Sequence, residues 1–165
     1  MSVGRTSTDA SAEPARAPRP RRWLLRLLNL YPPFMGAGIR VEVAPDLRTF
    51  ETRMRLTRLN ANYVGTHFGG SLYAMTDPFL MLILIEALGP GYVVWDKAAS
   101  IRFRRPGRGT VRARMHVDEA RIADIRAAAD RGEKVEPEFD VAVTDEQGEL
   151  VAEVHKVLHV RRRRA

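Results

Sequence analysis

The sequence predicts an α+β protein in which an antiparallel sheet of five to six strands wraps around one long apolar central helix. Residues 79–85 are all apolar, so a helix there has no polar face and must be buried. Several flanking segments alternate apolar and polar residues, which is the period of half-buried strands. Short turns join three pairs of these segments, and short turns are typical of antiparallel neighbours.

The strands follow from this alternation in chain order. We expect them at residues 39–43, 49–57, 92–103, 110–117, 138–144 and 150–160. The first two and the last two are each joined by a turn, so each pair is predicted to form a hairpin. A second helix is expected from Glu119 to Arg131, because Asp118 is a favourable N-cap and Gly132 a favourable residue after the helix end.

The central segment, residues 60–89, carries one acid, Asp77, before its longest apolar run. Gly69 and Gly70 open the helix, so N–H groups there lack intrahelical partners and could polarise a carbonyl oxygen. A carboxylate near such a site suits hydrolysis of an activated acyl group. Asp77-Pro78 is equally a common helix start, with Asp77 as a structural N-cap. A third alternative is one helix from about Gly70 that kinks at Pro78.

One domain is expected from a chain of 165 residues, and we place it at residues 21–160. Residues 1–20 are rich in Ala, Pro, Ser and Arg without an apolar period, which predicts disorder. A short amphipathic helix at 22–30 would either pack on the domain or make a weak membrane-surface contact. Residues 161–165 form a basic tail. Since no signal-peptide cleavage site is evident, we expect a cytoplasmic protein.

The net charge of +7 lies in the chain ends: residues 1–26 and 161–164 each carry +4, and residues 27–160 carry −1. A nucleic-acid-binding protein should instead place a basic stripe on a folded element, so no nucleic-acid partner is expected. The absence of cysteine excludes disulfides, thiolate metal sites and a cysteine nucleophile. His116, His155 and His159 stand singly, without the spacing of metal ligands. Neither a metal nor a cofactor is predicted.

The pattern N-x-x-G-x-x-x-G-G-x(6)-D resembles the signature of hotdog-fold acyl-CoA thioesterases of the phenylacetate-pathway type. Its residues here are Asn62, Gly65, Gly69, Gly70 and Asp77. The later pattern F-x-x-P-x-x-G, residues 103–109, resembles their strand-turn-strand after the helix. The stretches LNLYPPFMGAGIRVE, NYVGTHFGGSLYAMTDP and VWDKAAS are similar to a bacterial hotdog family known as DUF4442 or as tetrameric acyl-CoA thioesterases. The resemblance covers about residues 27–160.

The resemblance implies hydrolysis of acyl-CoA to a free acid and CoA, with CoA present only as part of the substrate. It implies that amides near Gly69 and Gly70 polarise the thioester carbonyl, and that Asp77 from the facing subunit acts as general base or nucleophile. Asn62 would orient the water or the carbonyl. A homodimer or homotetramer follows from such a two-subunit site. Many relatives place His directly before the glycine pair, where this chain has Phe68. His67 therefore either reaches the site or is a satisfied loop histidine.

Two further groups are candidates by the same resemblance. Asp96 is predicted on the strand face opposite Lys97, where it either contacts the catalytic water or joins a buried ion pair or an interface. Four arginines lie around the turn where such enzymes hold the CoA phosphates, and the alternative is a solvated basic turn. They are Arg102, Arg104, Arg105 and Arg108.

Two alternatives to a thioesterase stay open. The first is a non-catalytic hotdog protein that binds acyl-CoA or an acyl chain, in which Asp77 only caps a helix. The second is a peripheral membrane protein that its Arg-rich ends hold on anionic lipid.

Overall fold

The computed structural model describes Leu25 and residues 27–163. The tail predicted at 1–20 therefore lies outside the described residues, as do residues 164 and 165. Of the helix predicted at 22–30, residues 22–24 and 26 also lie outside them. In its described part, Leu25 is helical and buried, and Leu27–Leu30 form a 3-10 turn. Leu25 packs in the hydrophobic core.

Six antiparallel strands form one sheet in the order β1-β2-β4-β5-β6-β3. The strands are β1 (Ile39–Val43), β2 (Thr49–Arg55), β3 (Tyr92–Phe103), β4 (Thr110–His116), β5 (Glu138–Thr144) and β6 (Leu150–Arg162). Every predicted strand is present. The largest differences are two residues at the ends of β2 and β6. β6 continues to Arg162 because its last two residues pair with the first two residues of β3.

Four complete α-helices accompany the sheet between residues 27 and 163. They are α1 (Pro32–Ala37), α2 (Gly69–Ala74), α3 (Phe79–Leu88) and α4 (Glu119–Asp130). α4 begins as predicted, with the Asp118 carboxylate accepting a hydrogen bond from the backbone N–H of Arg121. α1 was not predicted. Pro32 and Pro33 occupy its first turn, where proline is tolerated because a backbone N–H there would have no intrahelical acceptor.

The predicted central helix is divided into α2 and α3 by residues 75–78. The hydroxyl of Thr52 donates to the carbonyl oxygen of Met75 at 2.7 Å, so a backbone group exposed by the break is satisfied. By length and composition alone, Gly69–Leu88 resembles a membrane-spanning helix, but 44% of its most apolar window is buried inside the domain. One face of α3 is buried completely or nearly so, which identifies it as the core helix.

The sheet curls around α2 and α3, and the inward side chains of its strands form one hydrophobic core with them. This is the α+β architecture predicted from the sequence, and it is the hotdog fold. β1 and β3 are the edge strands. β3 leaves much of its surface open to solvent, including Trp95 at 42% and Phe103 at 55% exposure.

Candidate active site

A buried lysine joins two carboxylates at the break in the central helix. Lys156 on β6 has a fully buried side chain, and its Nζ donates a hydrogen bond to Oδ1 of Asp77. The same Nζ lies 3.1 Å from Oδ1 of Asp96 on β3. Asp77 and Asp96 were predicted as separate site residues. The structure brings them together through a residue that was not predicted.

Strand geometry explains this meeting. Val154, Lys156 and Leu158 are all completely buried, since residues at every second position of a strand share one face. β3 contains a bulge, because Asp96 pairs with Leu158 whereas Ala98 pairs with Val157. Lys97 is the extra residue. Because Asp96 pairs with Leu158, its side chain lies on the same face of the sheet as Leu158 and Lys156.

Lys97 points elsewhere, as the alternation along β3 predicts. Its Nζ donates to Oε2 of Glu136 at 2.5 Å. Lys134 lies on the same carboxylate, with its Nζ 2.7 Å from Oε1 of Glu136. These three residues form an ion-pair group separate from the Asp77–Lys156–Asp96 cluster.

The electrostatics of the cluster keep Lys156 charged. Burial by itself lowers the pKa of Lys156, but the hydrogen bond to Asp77 and the charges of both carboxylates outweigh it, so the pKa lies above the ordinary lysine value. Burial raises the pKa of Asp96, and the charge of Asp77 adds to this while Lys156 opposes it. Tyr73 lies one turn before Asp77, with its ring centroid 5.5 Å from the lysine Nζ. Burial raises the pKa of Tyr73; the ammonium of Lys156 opposes this, and the charges of Asp77 and Asp96 add to it.

Asp77 is not the N-cap of α3. Pro78 holds that position, no side chain caps this helix, and the Asp77 carboxylate is turned to Lys156 instead. The side chain of Asp77 is 37% exposed, and no described residue donates to its Oδ2. One oxygen of this carboxylate is therefore fixed by the core, while the other has no hydrogen-bond donor among the described residues.

Gly69 and Gly70 form the first turn of α2, after the N-cap Phe68. The N–H groups of Ser71 and Leu72 bond back to the carbonyl oxygen of Phe68, so the two glycine amides precede the first intrahelical donors. A Cβ on Gly69 would lie 2.8 Å from Cζ of Phe103, and one on Gly70 would lie 2.5 Å from Cε1 of Phe68. Two aromatic rings thus lie directly against this helix end, and glycine is what allows them there.

Asn62 organises the loop before α2. Its amide Nδ2 donates to the hydroxyl of Thr66 at 2.9 Å. Its Oδ1 accepts from the backbone N–H groups of Thr66 and Val64, at 3.0 Å and 3.1 Å. These bonds engage both ends of the amide within the loop, and the structure does not bring Asn62 to the Asp77–Lys156–Asp96 cluster.

His67 faces the turn between β3 and β4. Its Nε2 lies 3.1 Å from the carbonyl oxygen of Gly109, and its backbone N–H donates to the carbonyl of Gly107 at 3.0 Å. The residue is only 3% exposed. Burial lowers the pKa of His67 below the ordinary histidine value. In this structure His67 does not contact the carboxylate cluster.

Two of the four predicted phosphate-binding arginines are engaged by carboxylates. Arg104 donates through Nε to Glu153 at 2.8 Å, and Arg105 donates to Asp145 at 2.5 Å. Arg102 and Arg108 are exposed and form no ion pair with any described residue. In the described part of the chain, no three His, Asp or Glu side chains are placed to hold a metal ion.

Comparisons with solved structures agree with this architecture. A Pseudomonas aeruginosa protein of unknown function, PA5026, described as a probable thioesterase, is 26% identical with a TM-score of 0.77, over 90% of this chain and 100% of that chain. The Haemophilus influenzae thioesterase HI1161 is 17% identical with a TM-score of 0.61, over 84% and 88%. The Escherichia coli PaaI protein, from the phenylacetic acid degradation operon, is 19% identical with a TM-score of 0.58, over 88% and 96%.

At the level of sequence, the comparison with curated proteins gives no match. The profile of a domain of unknown function, DUF4442, matches residues 21–160, which include every strand core and the whole carboxylate cluster. The chain therefore belongs to the DUF4442 family.

Proposed function

We propose that this protein hydrolyses acyl-CoA thioesters to a free acid and CoA. The observation that carries the proposal is the Asp77 carboxylate, which is partly exposed to solvent and held through one oxygen by a buried ammonium. It lies at the break in the central helix of a fold that this chain shares with proteins described as thioesterases.

The chemistry requires a base or nucleophile and a site for negative charge. Asp77 acts either by taking a proton from the attacking water or by attacking the thioester carbonyl itself. The carbonyl oxygen becomes an oxyanion, which amide donors such as those of Gly69 and Gly70 stabilise. Collapse of the oxyanion breaks the C–S bond and releases the CoA thiolate, which needs less help from an acid than an alkoxide does. On the general-base route this step gives the free acid directly. On the nucleophilic route it leaves an anhydride on Asp77, which water then hydrolyses to the free acid and the regenerated carboxylate.

A second copy of the chain completes this site in our proposal. α2 has six residues and so spans about 9 Å, which separates Gly69 and Asp77 of one chain by more than the width of a thioester group. The twelve-residue β3 has a free edge, and unpaired edges of this length are normally paired or blocked. We propose that two copies pair along β3, so that Asp77 of one copy would face the α2 start of the other.

The CoA phosphates would bind at the arginines near the turn between β3 and β4. Arg102 and Arg108 suit this role because no described carboxylate occupies them. A guanidinium binds phosphate through two parallel hydrogen bonds. Arg104 and Arg105 would need to exchange their present carboxylates for phosphate.

A thiol-release assay on a panel of aliphatic and aromatic acyl-CoA compounds tests the proposal. We expect thiol release well above the spontaneous rate for at least one class. If the protein binds an acyl-CoA but releases no thiol, the non-catalytic acyl-CoA-binding function replaces this one. That alternative assigned Asp77 the role of a helix cap, but in the structure Pro78 is the N-cap of α3 and Asp77 is not.

A further inference from the structure

We propose that Lys156 is a positioning residue, which holds Asp77 by Oδ1 so that Oδ2 alone is presented to the water or the thioester. The inference rests on the proposed function of Asp77. It adds a residue from a different element, the last strand, to the machinery of the reaction.

Burial gives the first argument. The Lys156 side chain is completely inaccessible, and lysine is almost never fully buried unless it is paired. Its two partners are Asp77 and Asp96, and the latter side chain is only 23% exposed. The ammonium cannot leave for solvent without opening the core. Its contact with Asp77 is therefore fixed by the packing of β6.

The hydrogen-bond pattern gives the second argument. Among the described residues, only Lys156 donates a hydrogen bond to the Asp77 side chain. Without it, the carboxylate is free to rotate about its side-chain torsions, because it is partly exposed. A displacement of about 1 Å in a reacting group can cost 10²-fold in rate. Holding one oxygen is thus the simplest way in which this core can orient the other.

Charge gives the third argument. Three groups from different elements face the ammonium: Tyr73 of α2, Asp77 of the break and Asp96 of β3. With both acids ionised, the cluster keeps one net negative charge. If the ammonium is removed, the two carboxylates face each other without a counter-charge and compete for a proton. Lys156 therefore supplies the counter-charge between the two carboxylates as well as the contact that orients Asp77.

The test compares Lys156→Met with the matched control Lys97→Met. Methionine approximates the length of lysine but has no charge. We expect kcat to fall by about 10²-fold in Lys156→Met, with KM changed little, and the acidic limb of the pH profile of kcat to move to higher pH. Lys97 lies next to Asp96 but pairs with Glu136, so Lys97→Met should keep the wild-type kcat and pH profile.

A second variant separates positioning from folding. In the double variant Lys156→Met/Asp96→Asn, the core loses one positive and one negative charge, so the fold should be recovered even if the single variant unfolds. Positioning predicts that kcat stays low in this folded double variant. Recovery of the wild-type kcat would overturn the inference and make Lys156 a structural counter-ion. Wild-type protein that releases no thiol would instead overturn the proposed function itself.

Discussion

The ammonium of Lys156 and the carboxylate of Asp77 are hydrogen-bonded although 79 positions separate them in the chain. The bond ties the last strand of the sheet to the break between the two segments of the central helix. The residues next to each of them in the chain give no reason for a charge at that position. Lys156 interrupts an apolar strand face, and Asp77 interrupts an apolar helix. Each is tolerated because the other is present, since a buried charge needs a partner.

The C-terminal boundary of the fold can be tested by truncation. Arg161 and Arg162 pair with Val93 and Tyr92 of β3, and Arg162 lies 3.1 Å from the Asp130 carboxylate. Deleting residues 161–165 should therefore lower the melting temperature by several degrees. Deleting only residues 164–165 should leave it unchanged. Equal melting temperatures for both truncations would contradict the role of β6 beyond Val160.

Glu136 should contribute to stability in a pH-dependent way. Hydrogen bonds from Lys134 and then Lys97 lower the pKa of Glu136 from 4.5 to about 2. Because the folded pKa lies below the unfolded value, the unfolded chain takes up this proton first as the pH falls. The stabilisation is thus complete above about pH 4.5 and is lost as the pH falls towards 2.

The measurement is a series of thermal melts of wild type and Glu136→Gln between pH 2 and pH 7. The difference in melting temperature should be constant above about pH 5 and should shrink on acidification. A difference that is the same at every pH would show that the lysines do not favour the charged form of Glu136.

Assembly is tested by light scattering at micromolar concentration. We expect a species of at least two chains, because β3 exposes its edge and the side chains of Trp95 and Phe103. Ser100→Lys, an exposed position in the middle of β3, should weaken the assembly and lower activity in parallel. An active monomer of about 18.6 kDa would exclude a site shared between two subunits.

The strands were predictable to within about two residues because the alternation of apolar side chains is a local signal that the sheet preserves. The site was only partly predictable. The sequence Asp77-Pro78 fits a helix cap and a catalytic acid equally well. Only the structure decides against the cap, because Pro78 is the N-cap of α3 and the Asp77 carboxylate is bonded to Lys156. Lys156 itself had a signal, since it stands in register with Val154 and Leu158. A charged residue in such a position is normally assigned to solvent, and its partners come from two distant segments.

His67 and Asn62 illustrate a different limit. Asn62 belongs to the pattern that resembles thioesterases, and His67 lies one residue before the position where many relatives place a histidine. Asn62 engages both ends of its amide within the loop, and His67 directs Nε2 to the carbonyl oxygen of Gly109 in the neighbouring turn. Within one chain, these hydrogen bonds fix the conformation of the loop that precedes α2. Sequence position could not separate this role from a direct one, because a shift of one residue turns a side chain to another direction.

The decisive prediction concerns Asp77→Asn. Asparagine keeps the size and most of the hydrogen-bonding shape of aspartate but cannot act as a base. Because general-base catalysis is typically worth 10²–10⁴-fold, thiol release from acyl-CoA should fall by about that factor. The loss should appear in kcat, since the substitution leaves the binding surface unchanged.

Asp96→Asn is the matched control, because it removes the same charge from the same lysine without removing the proposed base. If Asp77 does the chemistry, Asp77→Asn must be much slower than Asp96→Asn although both change the charge around Lys156 equally. If the two variants lose activity equally, the net charge of the cluster determines the rate and Asp77 has no catalytic role of its own. If Asp77→Asn keeps full turnover, the carboxylate is structural, and binding of acyl-CoA without hydrolysis becomes the better account of this fold.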